Sequence, residues 1–240
     1  MGMGKERNGS ADGPMGMTPG NTVVLACDAL AEHIAAAQAS QKTAFPVVLL
    51  DRGLHLEPSN MQNAALAAID SLPKDVETVL VCMGFCGGAW DHVTAPRRLI
   101  IPRVDDCVSM LLHTDDAYQP NRKAPWHMYM YENDPATFSL EKMMRDVDNG
   151  SEYAGFSQEQ LFHLFFDGYR NVDIVDTGLN DCYAESYVEK AQEFADGLSA
   201  ELDFVQGGVY LLEKLVSGRW DEQFLVAEPG DLIRHGSFFE

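Results

Sequence analysis

Apolar positions along this chain fall into short β-branched runs separated by stretches with helical spacing. Residues 21–26 (NTVVLA) form one such run, which stops at Cys27-Asp28, and residues 29–40 (ALAEHIAAAQAS) follow as an alanine-rich helical pattern. The same alternation recurs. Residues 45–50 (FPVVLL) read as a second buried strand, and residues 60–72 repeat apolar positions at helical spacing until Pro73 ends them. Residues 76–83 (VETVLVCM) form a third strand, running into the turn Gly84-Phe85-Cys86-Gly87-Gly88. Residues 98–102 (RLIIP) form a fourth, followed by Arg103, Asp105, Asp106 and a helix that starts at Cys107.

Between residues 114 and 148 the rhythm breaks into Pro, Asn, Asp and aromatic positions, with residues 126–131 (WHMYMY) alternating like an exposed strand or hairpin arm. Ser157 with Gln160 three residues later has the form of a capping box and opens a helix. Strands at 172–176, 202–205 and 224–227 and helices at 183–198 and 209–215 complete the pattern. Strands alternating with helices predict an α/β fold: Rossmann-like parallel sheet with helices on both faces, as two similar lobes or one continuous sheet. The expected organisation is a disordered tail over 1–20, an N-terminal α/β lobe over 21–113, an irregular connection or lid over 114–156, and a C-terminal α/β lobe over 157–240 packed on the first.

Composition narrows the roles open to such a fold. Seventeen basic against thirty-seven acidic side chains give a formal charge of −20, which repels nucleic-acid backbones and anionic membrane surfaces. No run approaches the roughly 20 apolar residues that span a bilayer, and the opening stretch lacks the apolar segment of a signal peptide. A cytoplasmic location is therefore expected. Five cysteines, an odd number without the density of a secreted disulfide scaffold, read as reduced thiols.

Three of those thiols occupy equivalent places. Cys27 ends the first strand, Cys86 lies in the turn after the third, and Cys107 begins the helix after the fourth, so all three are expected at the carboxyl edge of one parallel sheet. That is where such folds bind ligands. Thiols near helix N-termini tend toward thiolate, the form that binds metal. Three cysteines with an open position suit zinc, or an iron–sulfur cluster with one exposed iron. His33, His55, Asp106 and Glu32 are the candidate fourth ligands, whereas inert packing is the competing reading, because free cysteines are among the most buried residues. Cys82, inside the third strand, is expected to pack as a small apolar side chain.

Gly84, Gly87 and Gly88 offer backbone N–H groups to an anionic cofactor or ligand, or simply make a tight turn. Arg103 is a candidate clamp for a small anionic substrate or half of a salt bridge, and Asp106 a catalytic partner or a helix cap. Asp176-Thr177-Gly178 ends a strand of the second half and either faces the cysteine edge or caps a helix. His127, with Trp126 and Tyr129, reads as a lid or as an aromatic cover.

At the segments Ala26-Cys27-Asp28-Ala29-Leu30, Gly84-Phe85-Cys86-Gly87-Gly88, Pro102-Arg103-Val104-Asp105-Asp106-Cys107-Val108 and Asp176-Thr177-Gly178, the chain resembles the family catalogued as domain of unknown function number 1638, found in anaerobic bacteria and methanogenic archaea. In that family's pattern the place of Asp105 is usually histidine and the turn reads closer to G-L-C-G-N-G, so Asp105 and Gly88 depart from it. The resemblance implies one-carbon metabolism, as a metal-dependent methyltransferase or accessory protein beside a corrinoid protein partner. The competing function is a non-catalytic binding module for a small anionic ligand or a corrinoid protein, and a homodimer is a further expectation.

Overall fold

The computed structural model describes residues 16–56, 58–134, 139–148 and 155–240. Eight strands and eight α-helices follow one another as β1 (Thr22–Cys27), α1 (Ala31–Gln41), β2 (Val47–Leu50), α2 (Pro58–Ser71), β3 (Thr78–Cys82), β4 (Arg98–Pro102), α3 (Cys107–Leu111), β5 (His127–Met130), α4 (Leu140–Asp148), α5 (Gln158–Phe166), β6 (Asn171–Asp176), α6 (Glu185–Leu198), β7 (Glu201–Gln206), α7 (Tyr210–Ser217), β8 (Phe224–Ala227) and α8 (Gly236–Phe239) among these residues. Short 3₁₀ turns at Asp28–Leu30, Arg52–Leu56 and Cys86–Gly88 follow β1, β2 and β3.

The expected α/β architecture is present as two sheets. The first has the order β2-β1-β3-β4-β8, with its first four strands parallel, and the second has the order β5-β6-β7, all parallel. Every residue of β1 and β3 is buried, as their unbroken apolar runs require of strands covered on both faces. β2 lies at the edge, and its Val47 and Leu49 remain 40% and 48% exposed. Helices α1 and α7 pack together, with α7 lying against β3 and β4, while α2 packs against β2. The largest hydrophobic cluster runs from Val24 and Leu80 through Ile100 to Leu211 and Phe238.

Two strands complete the sheets at their edges. β5, from the stretch read as a connection, is an outer strand of the second sheet. β8 leaves the second half of the chain and pairs antiparallel with β4, Pro102 opposite Phe224 and Leu99 opposite Ala227. The Ser157 cap forms as expected: its Oγ accepts from Gln160 N at 3.2 Å, while Gln160 Oε1 accepts from Ser157 N at 2.8 Å. The tail expected over residues 1–20 lies outside the described residues as far as residue 15. Beyond it Met17 is buried in the main cluster, and Thr18 N donates to Asn21 Oδ1 at 2.7 Å just before β1.

Candidate metal centre

Four neighbouring parallel strands, in the order β2-β1-β3-β4, each end in one residue able to bind a soft metal. His55 lies in the 3₁₀ turn after β2, Cys27 is the last residue of β1, Cys86 opens the turn after β3, and Cys107 is the first residue of α3 after β4. The ligand atoms of Cys27, His55 and Cys107 all lie within 4.8 Å of one another, and no other such group occurs among the described residues. A tetrahedral zinc, with bonds of about 2.0–2.3 Å, holds its ligand atoms roughly 3.3–3.8 Å apart, so modest contraction completes the set. Cys27 and Cys107 are 1% and 4% exposed, Cys86 is half-buried and His55 is exposed, so the cluster has a dry side and a solvent side.

The Cys107 thiol hydrogen-bonds with both Cys27 and Cys86, which brings the three cysteines singled out from the sequence into one contiguous group. The protonation of Cys27 and Cys107 differs from the expectation. The bond from Cys107, burial and the neighbouring Cys107 charge push the Cys27 thiol well up. At Cys107 the bond with Cys27 pulls the pKa down, but the bond with Cys86 and burial outweigh it. Helix N-termini do not prevail here, because adjacent thiols in a dry site disfavour one another's charge. Cys82 packs as expected, wholly buried and 3.9 Å from the Met110 sulfur.

Backbone hydrogen bonds join the two loops that carry Cys86 and Cys107. Phe85 N donates to Val104 O at 2.8 Å, and Cys86 N donates to Asp105 O at 2.7 Å. Gly84 permits this approach: a Cβ there would lie 2.7 Å from both Asp106 N and Val104 O. Cys86 itself holds φ +49°, a left-handed conformation that costs a non-glycine residue about 1–2 kcal/mol, and Gly87 and Gly88 continue it at +70° and +111°. Of the three glycines read as an anion cradle or a tight turn, Gly88 donates its N–H to the Phe85 carbonyl at 3.1 Å. The N–H groups of Phe85, Cys86, Gly88 and Ala89 are bonded to protein carbonyls, and the glycines serve the turn's shape.

Asp106 caps α3, accepting from Ser109 N at 2.8 Å, and its other oxygen accepts from Lys123, which also pairs with Asp105 at 3.1 Å. His55, Cys86, Gly87, Asp105, Asp106 and Lys123 line a cavity of about 320 Å³ beside the cysteines. Arg103 is not among the residues that line this cavity. Its guanidinium donates to the carbonyls of Ser237 at 3.0 Å, Glu222 at 3.1 Å and Glu240, and lies 4.3 Å from the Tyr118 ring centroid.

A further cation near the cluster is Arg52, two residues after β2. Its Nε donates to Asp28 Oδ1 at 3.2 Å and its Nη1 to Glu132 Oε1 at 2.8 Å, tying the residue after Cys27 to the loop after β5. Burial raises the Glu132 pKa, against the opposing pull of Arg52. Glu132 is further anchored by its carbonyl, which accepts from Tyr187 Oη at 2.9 Å and Asn180 Nδ2 at 3.3 Å. Arg52 and Glu132 were not singled out from the sequence. Arg52 carries a signal close to the one that drew attention to Arg103, a cation just past a strand in an acidic chain, although Asp51 separates it from β2. Asp176 bonds back to Gly178 N and to Tyr183 Oη, both at 3.0 Å, as a turn does. His127 Nδ1 pairs with Asp173 Oδ2 at 2.6 Å across β5 and β6.

Among the described residues no helix is long and apolar enough to cross a membrane. Comparison with known families matches the model described as protein of unknown function (DUF1638) to residues 49–216, a stretch that contains His55, Cys86 and Cys107 and begins after Cys27. No match was found among curated proteins or solved structures.

Proposed function

Starting from a chain that belongs to the DUF1638 family, we propose that it is a metal-thiolate protein of one-carbon metabolism, with zinc held by Cys27, Cys107 and His55. The observation that carries this reading is the meeting of those three ligand atoms within 4.8 Å at the carboxyl ends of adjacent strands. A mixed sulfur and nitrogen donor set favours zinc over an iron–sulfur cluster, which takes thiolates throughout in its commonest forms. Cys86, half-buried and neighbouring Cys107, would take the fourth position, either as a closing ligand or as the group an incoming substrate displaces.

When bound, zinc supplies Lewis acidity that holds a substrate thiol as thiolate at neutral pH. The residues around it position that substrate. The cavity formed by His55, Cys86, Gly87, Asp105, Asp106 and Lys123 admits it from the solvent side, and Lys123, shared by two aspartates, leaves that mouth without surplus positive charge. A thiol is therefore a better fit there than a multiply charged anion. By the family resemblance the methyl donor would be a methyl-corrinoid partner: zinc on Cys27, Cys107 and His55 would keep the substrate thiol deprotonated, its proton passing to solvent, so that the sulfur could take the methyl group while cobalt kept the electron pair of the broken cobalt–carbon bond.

Elemental analysis of anaerobically purified protein, compared with the Cys27→Ser/Cys107→Ser variant, tests the proposal. Stoichiometric zinc that disappears in a folded variant is the expected result. Metal-free wild-type protein, or equal zinc in both, overturns it.

A further inference from the structure

A second cavity, of about 230 Å³, opens beyond the Cys27-Asp28 step, and Asp28, Glu32, His33, Arg52, Glu132 and Asp134 line it. His33 comes from the first turn of α1 and is only 2% exposed, and neither of its ring nitrogens has a hydrogen-bond partner. Buried polar groups are almost always satisfied, and leaving one unmet costs about 1–3 kcal/mol. Contact with the Tyr131 ring, edge-on with centroids 6.1 Å apart, packs the imidazole without satisfying its nitrogens. Burial lowers the His33 pKa to about 4, so the ring is neutral and offers one acceptor as well as one donor.

The wall around it is strongly acidic, with four carboxylates against the single guanidinium of Arg52, which is already bridged between Asp28 and Glu132. These carboxylates do not gather as a hard cation requires. Calcium or magnesium needs several oxygens at about 2.0–2.6 Å, and the ligand-atom group Cys27, His55 and Cys107 is the only compact one among the described residues. A positive charge spread over N–H groups suits walls that surround a space without converging on a point.

We propose that this cavity binds a small organic cation, an alkylammonium or guanidinium group, with His33 accepting one of its hydrogen bonds and the carboxylates supplying the field. A volume of this size takes a head group of a few heavy atoms and a short chain. The site stands independently of the metal centre, although Asp28 makes the two neighbours in the chain.

Isothermal titration of the full chain with butylammonium, putrescine and butyrate tests it. Saturable binding of both amines and none of butyrate is expected. His33→Leu should weaken amine binding about tenfold, the loss of one hydrogen bond to a charged group, whereas His33→Gln, which keeps an acceptor, should stay within a few-fold. Glu32→Gln, at an exposed position, provides an electrostatic test that does not disturb packing and should weaken binding a few-fold. Absence of saturable amine binding, equal binding of butyrate, or unchanged amine affinity in both His33→Leu and Glu32→Gln overturns the proposal. The same titration on the Cys27→Ser/Cys107→Ser variant should give unchanged amine affinity, so loss of zinc and loss of amine binding are read separately.

Discussion

Gly84→Ala isolates the contact between the two cysteine-bearing loops. The added methyl would sit 2.7 Å from Asp106 N and Val104 O and 2.8 Å from Asp106 Cα, all of them backbone atoms that cannot rotate aside. Ordinary van der Waals contact begins near 3.4 Å, so the loops must separate by about 0.7 Å. That separation stretches the hydrogen bonds Phe85 N to Val104 O and Cys86 N to Asp105 O, now 2.8 and 2.7 Å. Weakening two backbone bonds at about 1 kcal/mol each, together with overpacking strain of about 1–3 kcal/mol, gives a loss of roughly 3–5 kcal/mol. For a chain of this length that lowers Tm by roughly 6–20 °C. The same movement draws Cys86 away from Cys107 and should weaken zinc binding. Thermal melting and zinc competition against a chromogenic chelator measure the two effects, with Gly208→Ala, whose Cβ would meet nothing within 4 Å, as the neutral control. A Gly84→Ala protein with wild-type Tm and wild-type zinc affinity would falsify the claim that this approach holds the cysteines together.

Two further predictions concern charge. His33 has its pKa lowered by burial from 6.5 to about 4, so the unfolded chain binds the proton more readily. Stability therefore falls as pH drops from 6.5 toward 4, by about 3 kcal/mol at the lower end; urea denaturation should show this slope reduced in His33→Leu, and an identical slope in both proteins contradicts it. Arg103→Ala removes donors to the carbonyls of Ser237, Glu222 and Glu240 and the stack on Tyr118, and should destabilise the chain by about 1–2 kcal/mol while leaving zinc content unchanged. Loss of zinc at intact stability would instead put Arg103 at the metal centre.

The alternation of apolar runs and helical spacing made the strands legible because β1 and β3 are buried on both faces and carry no competing polar positions. Periodicity says nothing about partners, however. β8 joins β4 because its apolar residues complete that edge, a choice made in three dimensions between segments remote in sequence. The site divides in the same way. Cys27, Cys86 and Cys107 were legible because strand-to-helix junctions of a parallel sheet share one edge. His55 stood out from His33, Asp106 and Glu32 only once the turn after β2 was folded against that edge. Arg103 and Arg52 present similar local signals, and the segment around Ser237 and Glu240 draws one away while Asp28 and Glu132 hold the other near the cysteines.

The antiparallel seat of β8 also bears on how the protein is made. At the usual 5–20 residues per second, Phe224 leaves the ribosome roughly ten seconds after Pro102, about 120 residues later, and until then β4 has an open edge. The loops carrying Cys86 and Cys107 flank that unfinished strand, and the contacts of Arg103 with the Ser237 and Glu240 carbonyls that steady its end come later still. Nascent chains thus carry the cysteines on an incomplete scaffold, and a lasting cysteine cluster becomes a late product of synthesis, one that ribosome-bound chains stalled before residue 224 should lack.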